Sequence, residues 1–156
     1  MIDEYLSQLL DLIDKYGWAV QSVMGGDQPD EAPFSYTVGL TTMGHPEFVI
    51  TGMPARPAQE LLNILGDEVK KGHRYRANTL TSDPTETAAP VALISVLDTS
   101  ELLAALNFYG DIEALQVIWP DSSGRLPWAP GYADPPEAQP FWGIVPDAFT
   151  RVPGSD

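Results

Sequence analysis

The sequence predicts an α+β domain with five to six strands in a mostly antiparallel or mixed sheet, covered by two to three helices. Three observations carry this reading. Residues 1–16 repeat apolar side chains at helical spacing. Short β-rich runs recur between turn residues. The helical stretches fall between strands without regular βαβ alternation. A small β-barrel with peripheral helices is the alternative architecture. With 156 residues and no cysteine, the chain is long enough to bury a core without disulfides. One domain over 1–152 is expected, with a loose tail at 153–156.

Met1 to Tyr16 reads as a helix. Ile2, Tyr5, Leu6, Leu9, Leu10, Leu12, Ile13 and Tyr16 share one side, and Asp3, Glu4, Gln8, Asp11 and Asp14 take the other. Gly17 is a natural stop. Trp18 to Met24 reads as a strand, and residues 25–31 as a flexible acidic loop too polar to pack. Phe34 to Leu40 alternates and suits a strand. Glu47 to Met53 suits another, so the two form a hairpin around the turn at 41–46.

Pro57 fits a first helical turn. Ala58, Leu61, Leu62, Leu65 and Val69 then continue a helix to Lys71, with Gly72 as its end. Arg74 to Leu80 is a short strand candidate, and Thr81 to Ala89 a polar loop. Val91 to Leu97 reads as a buried strand. Asp98, Thr99 or Ser100 can cap the helix carrying Leu102, Leu103, Leu106 and Phe108, which Tyr109-Gly110 ends. Ala114 to Trp119 is an apolar strand broken by Gln116 and stopped by Pro120. Asp121-Ser122-Ser123-Gly124 supplies turn chemistry, and Pro127 to Gly131 stiffens the exit. Eight of the 15 prolines lie from Pro120 onward. An ordered tail is expected there, because Trp128, Tyr132, Phe141 and Trp142 require apolar cover.

The formal charge is −14, from 22 acidic and 8 basic residues. Such a surface repels nucleic acid and anionic membrane, and no apolar run approaches bilayer length. The N-terminus has neither a basic stretch nor an apolar one of signal-peptide type. With the missing cysteine, this points to the cytoplasm. The basic cluster Lys70, Lys71, Arg74 and Arg76 beside His73 reads as a helix C-terminus, with anion binding as the alternative.

No nucleophile elbow, P-loop or dinucleotide fingerprint is present, and no motif identifies a cofactor. His45 and His73 are the only imidazoles. Weak metal candidates are His45, Glu47, His73 and Asp121, with Asp98 in reserve. They lack ligand spacing, so no metal site is assigned. A pocket is the better reading, since small-ligand sites set a few polar groups among aromatics. Tyr36, Asn63, Gln116, Trp119, Asp121 and Trp128 form that set. Asn63, between Leu62 and Leu65, and Gln116, in its apolar strand, each require a buried partner and can satisfy one another across the core.

Gly17-Trp18, Pro33 to Leu40, His45-Pro46-Glu47-Phe48, Leu62-Asn63, Phe108-Tyr109-Gly110, Leu115 to Asp121, Gly124, Pro127-Trp128 and Gln139-Pro140 occur in this order. Together they resemble the DUF4262 family, over about residues 10–142. The resemblance implies a bacterial or phage protein and carries no assigned activity. It adds Glu47 to the shared pattern with Tyr36, Gln116, Trp119, Asp121 and Trp128, and leaves the acidic loop at 25–32 particular to this chain.

Two functional classes follow. The first is a non-enzymatic module binding a small molecule or protein through a face around Gln116 to Asp121 and Pro127-Trp128; the same aromatics suit a homodimer. The alternative is a hydrolase or metal-assisted enzyme using Glu47, His45, His73 and Asp121.

Overall fold

The computed structural model describes residues 4–28, 31–81 and 90–150. Six strands form one mixed sheet in the order β1-β2-β3-β6-β5-β4. They are β1 Ala19–Val23, β2 Phe34–Val38, β3 Glu47–Thr51, β4 Thr79–Thr81, β5 Val91–Ser95 and β6 Ala114–Ile118. The helices are α1 Glu4–Tyr16, α2 Ala55–Lys70, α3 Leu103–Tyr109 and the short α4 Asp147–Thr150.

The α+β expectation holds, and the barrel does not. β1 and β4 lie at opposite edges, and the sheet is open. Two antiparallel meanders, β1-β2-β3 and β4-β5-β6, meet at the one parallel pair, β3 against β6. The hairpin of β2 and β3 forms as expected, with Phe34 opposite Thr51 and Tyr36 opposite Val49. Helix α2 makes the long passage from the end of β3 toward the far edge.

Each face of the sheet is buried. Leu62, Leu65 and Val69 of α2 pack with Leu40, Phe48, Ile50, Leu93, Leu115 and Val117. On the other side, Leu9 of α1 and Ala104 and Ala105 of α3 pack with Phe34, Tyr36, Val38 and Val49. Beside them, Leu126, Trp128, Val145 and Phe149 cover Ala92, Ile94 and Ile118. Each fully buried aliphatic side chain contributes about 1.5–3 kcal/mol relative to exposure. The segment from Pro120 to residue 150 thus packs on the sheet as its third cover.

Several expectations require correction. The strand sought at 74–80 begins only at Thr79, because Tyr75 is drawn into the α2 core and Asn78 takes a positive φ of 64°. The polar loop expected at 81–89 lies, from residue 82, outside the described residues. No side chain of Asp98, Thr99 or Ser100 caps α3, whose boundary residue is Leu102. Instead the Tyr36 hydroxyl accepts the Ala104 N–H at 3.0 Å, and Asp98 turns back to accept the Ser100 N–H at 2.9 Å.

Candidate functional site

The polar residue that interrupts β6 turns out to be a clamp. Gln116 is fully buried. Its Oε1 accepts the Trp142 N–H at 2.6 Å, and its Nε2 donates to the Pro140 carbonyl at 2.7 Å and to Thr51 Oγ1 at 3.1 Å. The Thr51 hydroxyl donates to the same Pro140 carbonyl at 2.7 Å. One turn further, Gln139 accepts the Trp119 N–H at 2.8 Å and donates to the Trp119 carbonyl at 3.0 Å. The Trp119 indole N–H donates to the Thr51 carbonyl at 2.9 Å. A buried amide must be satisfied, and this one uses its groups to fix the chain at 139–142 over the ends of β3 and β6.

Two glycines allow that approach. Gly52 has φ of 80°, and a Cβ there would strike the Ala138 carbonyl; a Cβ on Gly143 would strike the Ser95 carbonyl. Only a residue without a side chain lets backbone pass backbone so closely.

Beside the clamp lies a half-open cavity of about 590 Å³, within the range of small-ligand sites. Its lining comes from the loop after β1 (Met24–Gly26 and Glu31–Ala32), from Phe34 of β2 and Thr51 of β3, from Glu101, and from Pro140 and Trp142. The rings of Phe34 and Trp142 meet edge to face at 4.8 Å. The loop expected to be too polar to pack thus supplies one side of a cavity.

The other residues marked in the sequence are dispersed. Glu47 is buried and accepts five hydrogen bonds. Thr37 Oγ1 (2.8 Å) and the Leu40 N–H (3.1 Å) reach Oε1, while the Gly39 N–H (3.2 Å), the Thr41 N–H (2.9 Å) and the Thr41 hydroxyl reach Oε2. It thereby caps the 3-10 turn Leu40–Met43, which has no other side-chain cap. Burial pushes its pKa up, against the bonds from Thr41, Thr37 and Gly39.

His45 is buried rather than solvated. Its Nδ1 pairs with the Pro46 carbonyl at 2.8 Å, and its Nε2 accepts the Tyr75 N–H at 3.0 Å. That places the proton on Nδ1 in a neutral ring. Burial lowers its pKa below 6.5, opposed by the Pro46 bond and aided by Arg74 and His73. His73 stacks on Tyr75 at 4.2 Å. Asp121 accepts the Ser123 and Arg125 N–H groups on Oδ1 and the Ala133 N–H on Oδ2, each at 2.9 Å. The Arg125 bond comes first among those that hold its carboxyl low. No group of three His, Cys, Asp or Glu converges among the described residues.

Asn63 does not meet Gln116. It is exposed, and its Oδ1 accepts the Trp18 indole N–H at 3.0 Å. Gly66, one turn on, admits the same ring, since a Cβ there would stand 2.6 Å from it. Trp128 stacks on Phe149 at 5.5 Å and belongs to the third core cluster. Tyr36 is buried, and its hydroxyl pKa is pushed up to about 12 by that burial. Of the seven ligand candidates, the structure links Gln116 and Trp119 through Thr51. It leaves Tyr36, Glu47, Asn63, Asp121 and Trp128 in separate positions.

Thr51, Gln139, Phe34, Trp142 and Glu101 were missed as site residues. The signal for Thr51 and Gln139 was a polar residue inside an apolar setting, the reasoning that found Gln116. Nothing local marks Glu101. The family model for a domain of unknown function, DUF4262, matches residues 12–133, and the chain belongs to that family. No curated protein and no solved structure matches it.

Proposed function

We propose that this member of the DUF4262 family is a small-ligand-binding module whose site is the cavity lined by Met24–Gly26, Glu31, Ala32, Pro140 and Trp142. The carrying observation is the cavity itself, about 590 Å³ with an aromatic pair in its wall and a backbone fixed by Gln116. A preformed wall lowers the entropy cost of ordering a loop around a ligand. The reading moves the binding face from the Trp119–Trp128 stretch to its neighbour, because Trp128 is already packed on Phe149.

Two of the residues offered for an enzyme, Glu47 and His45, are engaged elsewhere. Glu47 already accepts five bonds, and both ring nitrogens of His45 have partners. A cytoplasmic setting and a bacterial or phage source complete the proposal, on the cysteine-free, acidic composition and on the family resemblance.

The test is Ala32→Phe, which fills the cavity from its lining. Thermal unfolding of parent and variant is followed against a metabolite panel. Ligands that raise the parent's Tm and leave the variant's unchanged support the site. Equal stabilisation of both proteins by every active compound would place binding elsewhere.

A further inference from the structure

We infer that the cavity takes an extended organic cation, an amine-bearing carbon chain, with Glu31 and Glu101 supplying the counter-charge and Phe34 and Trp142 the apolar wall. This rests on the cavity being the ligand site, as proposed above.

Charge gives the sign of the ligand. Among the described residues, the lining includes Glu31 and Glu101 and no Lys, Arg or His. Neither glutamate takes part in the three ion pairs among the described residues, which join Arg56 to Glu60 and Lys71 to Asp67 and Glu68; the Glu31 carboxylate accepts only the Gln28 N–H, at 3.5 Å, among the described residues, which leaves its charge uncompensated. An anion would need free donors here, and the Gly26 N–H is already committed to the Glu31 carbonyl at 2.7 Å. The whole chain, at −14, attracts cations toward any cleft. The aromatic pair adds methylene contact and a negative ring face for an ammonium group.

Shape gives the length. Glu101 also lines a neighbouring hollow of about 350 Å³ bounded by Gln21, Tyr36 and Asn107 among others. It therefore stands on the ridge between two spaces. A chain with an ammonium at each end can lie in the larger cavity and reach this ridge, whereas a compact cation uses only one of the carboxylates.

The experiment is isothermal titration calorimetry on the full chain with three ligands of one length: hexanediamine, hexanediol and hexanedioate. The diamine is expected to bind best, and Glu31→Gln and Glu101→Gln each to weaken it about twofold to fivefold, as for exposed ion pairs. Added salt weakens it further. Ala32→Phe, with unchanged circular dichroism, is expected to abolish the heat. If the diol or the dioate binds as tightly as the diamine and Ala32→Phe still blocks it, the cation assignment falls and the site stands. If the diamine binds Ala32→Phe undiminished, the site falls as well. If none of the three gives heat with the parent, the cation assignment is overturned.

Discussion

Glu47→Gln separates a structural carboxylate from a catalytic one, and its magnitude follows from the five bonds. The substitution keeps size and shape but turns one oxygen into an N–H₂ donor. The least costly orientation leaves the carbonyl oxygen at the Oε2 position, where the Gly39 N–H, the Thr41 N–H and the Thr41 hydroxyl still reach it. The amide nitrogen then faces the Leu40 N–H, donor against donor, and the Thr37 hydroxyl, which must turn round to accept. One orphaned N–H costs about 1–3 kcal/mol, and the three surviving bonds each lose about 1 kcal/mol of charge assistance. Burial of the charge opposes these terms, since it pushes the Glu47 pKa up. A net loss of about 2 kcal/mol remains, or a Tm lower by about 4–8 °C for a chain of this length.

The sign with pH is fixed by the same shift. A raised folded-state pKa stabilises the parent fully below the unfolded value of 4.5, and that contribution declines as pH rises through the folded value. The parent's own stability is therefore greatest in acid and declines toward neutrality, a slope that Glu47→Gln, with no charge to bury, lacks. Thermal and urea unfolding, followed by the fluorescence of the four tryptophans, reads both. A variant with the parent's Tm at every pH would refute the capping role and return Glu47 to the list of functional carboxylates.

Gln116→Leu leaves the Trp142 N–H without its acceptor and costs about 2–3 kcal/mol by urea unfolding; hydrogen exchange at Trp142 should rise with it. Gly52→Ala forces a side chain into a φ of 80° and against the Ala138 carbonyl, so a loss of about 3 kcal/mol or outright misfolding is expected in expression and Tm measurements. His45 has a lowered folded-state pKa, so its contribution is intact above 6.5 and is lost as pH falls through the folded value; His45→Leu should show a flatter fall in Tm between about pH 7.5 and pH 5 than the parent. Trp128→Ala removes a half-buried ring stacked on Phe149 and should destabilise by about 2 kcal/mol while leaving cavity binding unchanged.

Much of the fold was readable because it is written locally. β2 and β3 announce themselves by alternation, and Gly17 and Gly110 stand where α1 and α3 end. The site was less readable because its bonds span the chain: Gln116 reaches Thr51 across 65 positions and Pro140 across 24. A buried glutamine declares that it has partners without naming them. Asn63 was misread for a geometric reason. It lies beside the α2 stripe of Ala58, Leu62, Leu65 and Val69, and the empty position of Gly66 lets Trp18 come to it from outside the sheet. Tyr36 replaced the expected cap of α3 because a hydroxyl 68 residues away arrives at the Ala104 N–H through the fold, and no sequence window contains both.

The clamp and the cavity share Thr51, Pro140 and Trp142, and that sharing bears on how a ligand would be felt. The Thr51 side chain lines the cavity while its hydroxyl donates to the Pro140 carbonyl. Pro140 has no N–H of its own, so the segment is held there only through its carbonyl, by Thr51 and Gln116 together. A ligand that drew the Thr51 hydroxyl away would leave Gln116 as the single donor at that point. One that left it in place would bind a wall already at its final position. The second arrangement needs no reorganisation, so the proposed ligand would be favoured where its polar ends meet Glu31 and Glu101 rather than the Thr51 hydroxyl. For the proposed site, the clamp would then act on specificity by fixing where Pro140 and Trp142 stand.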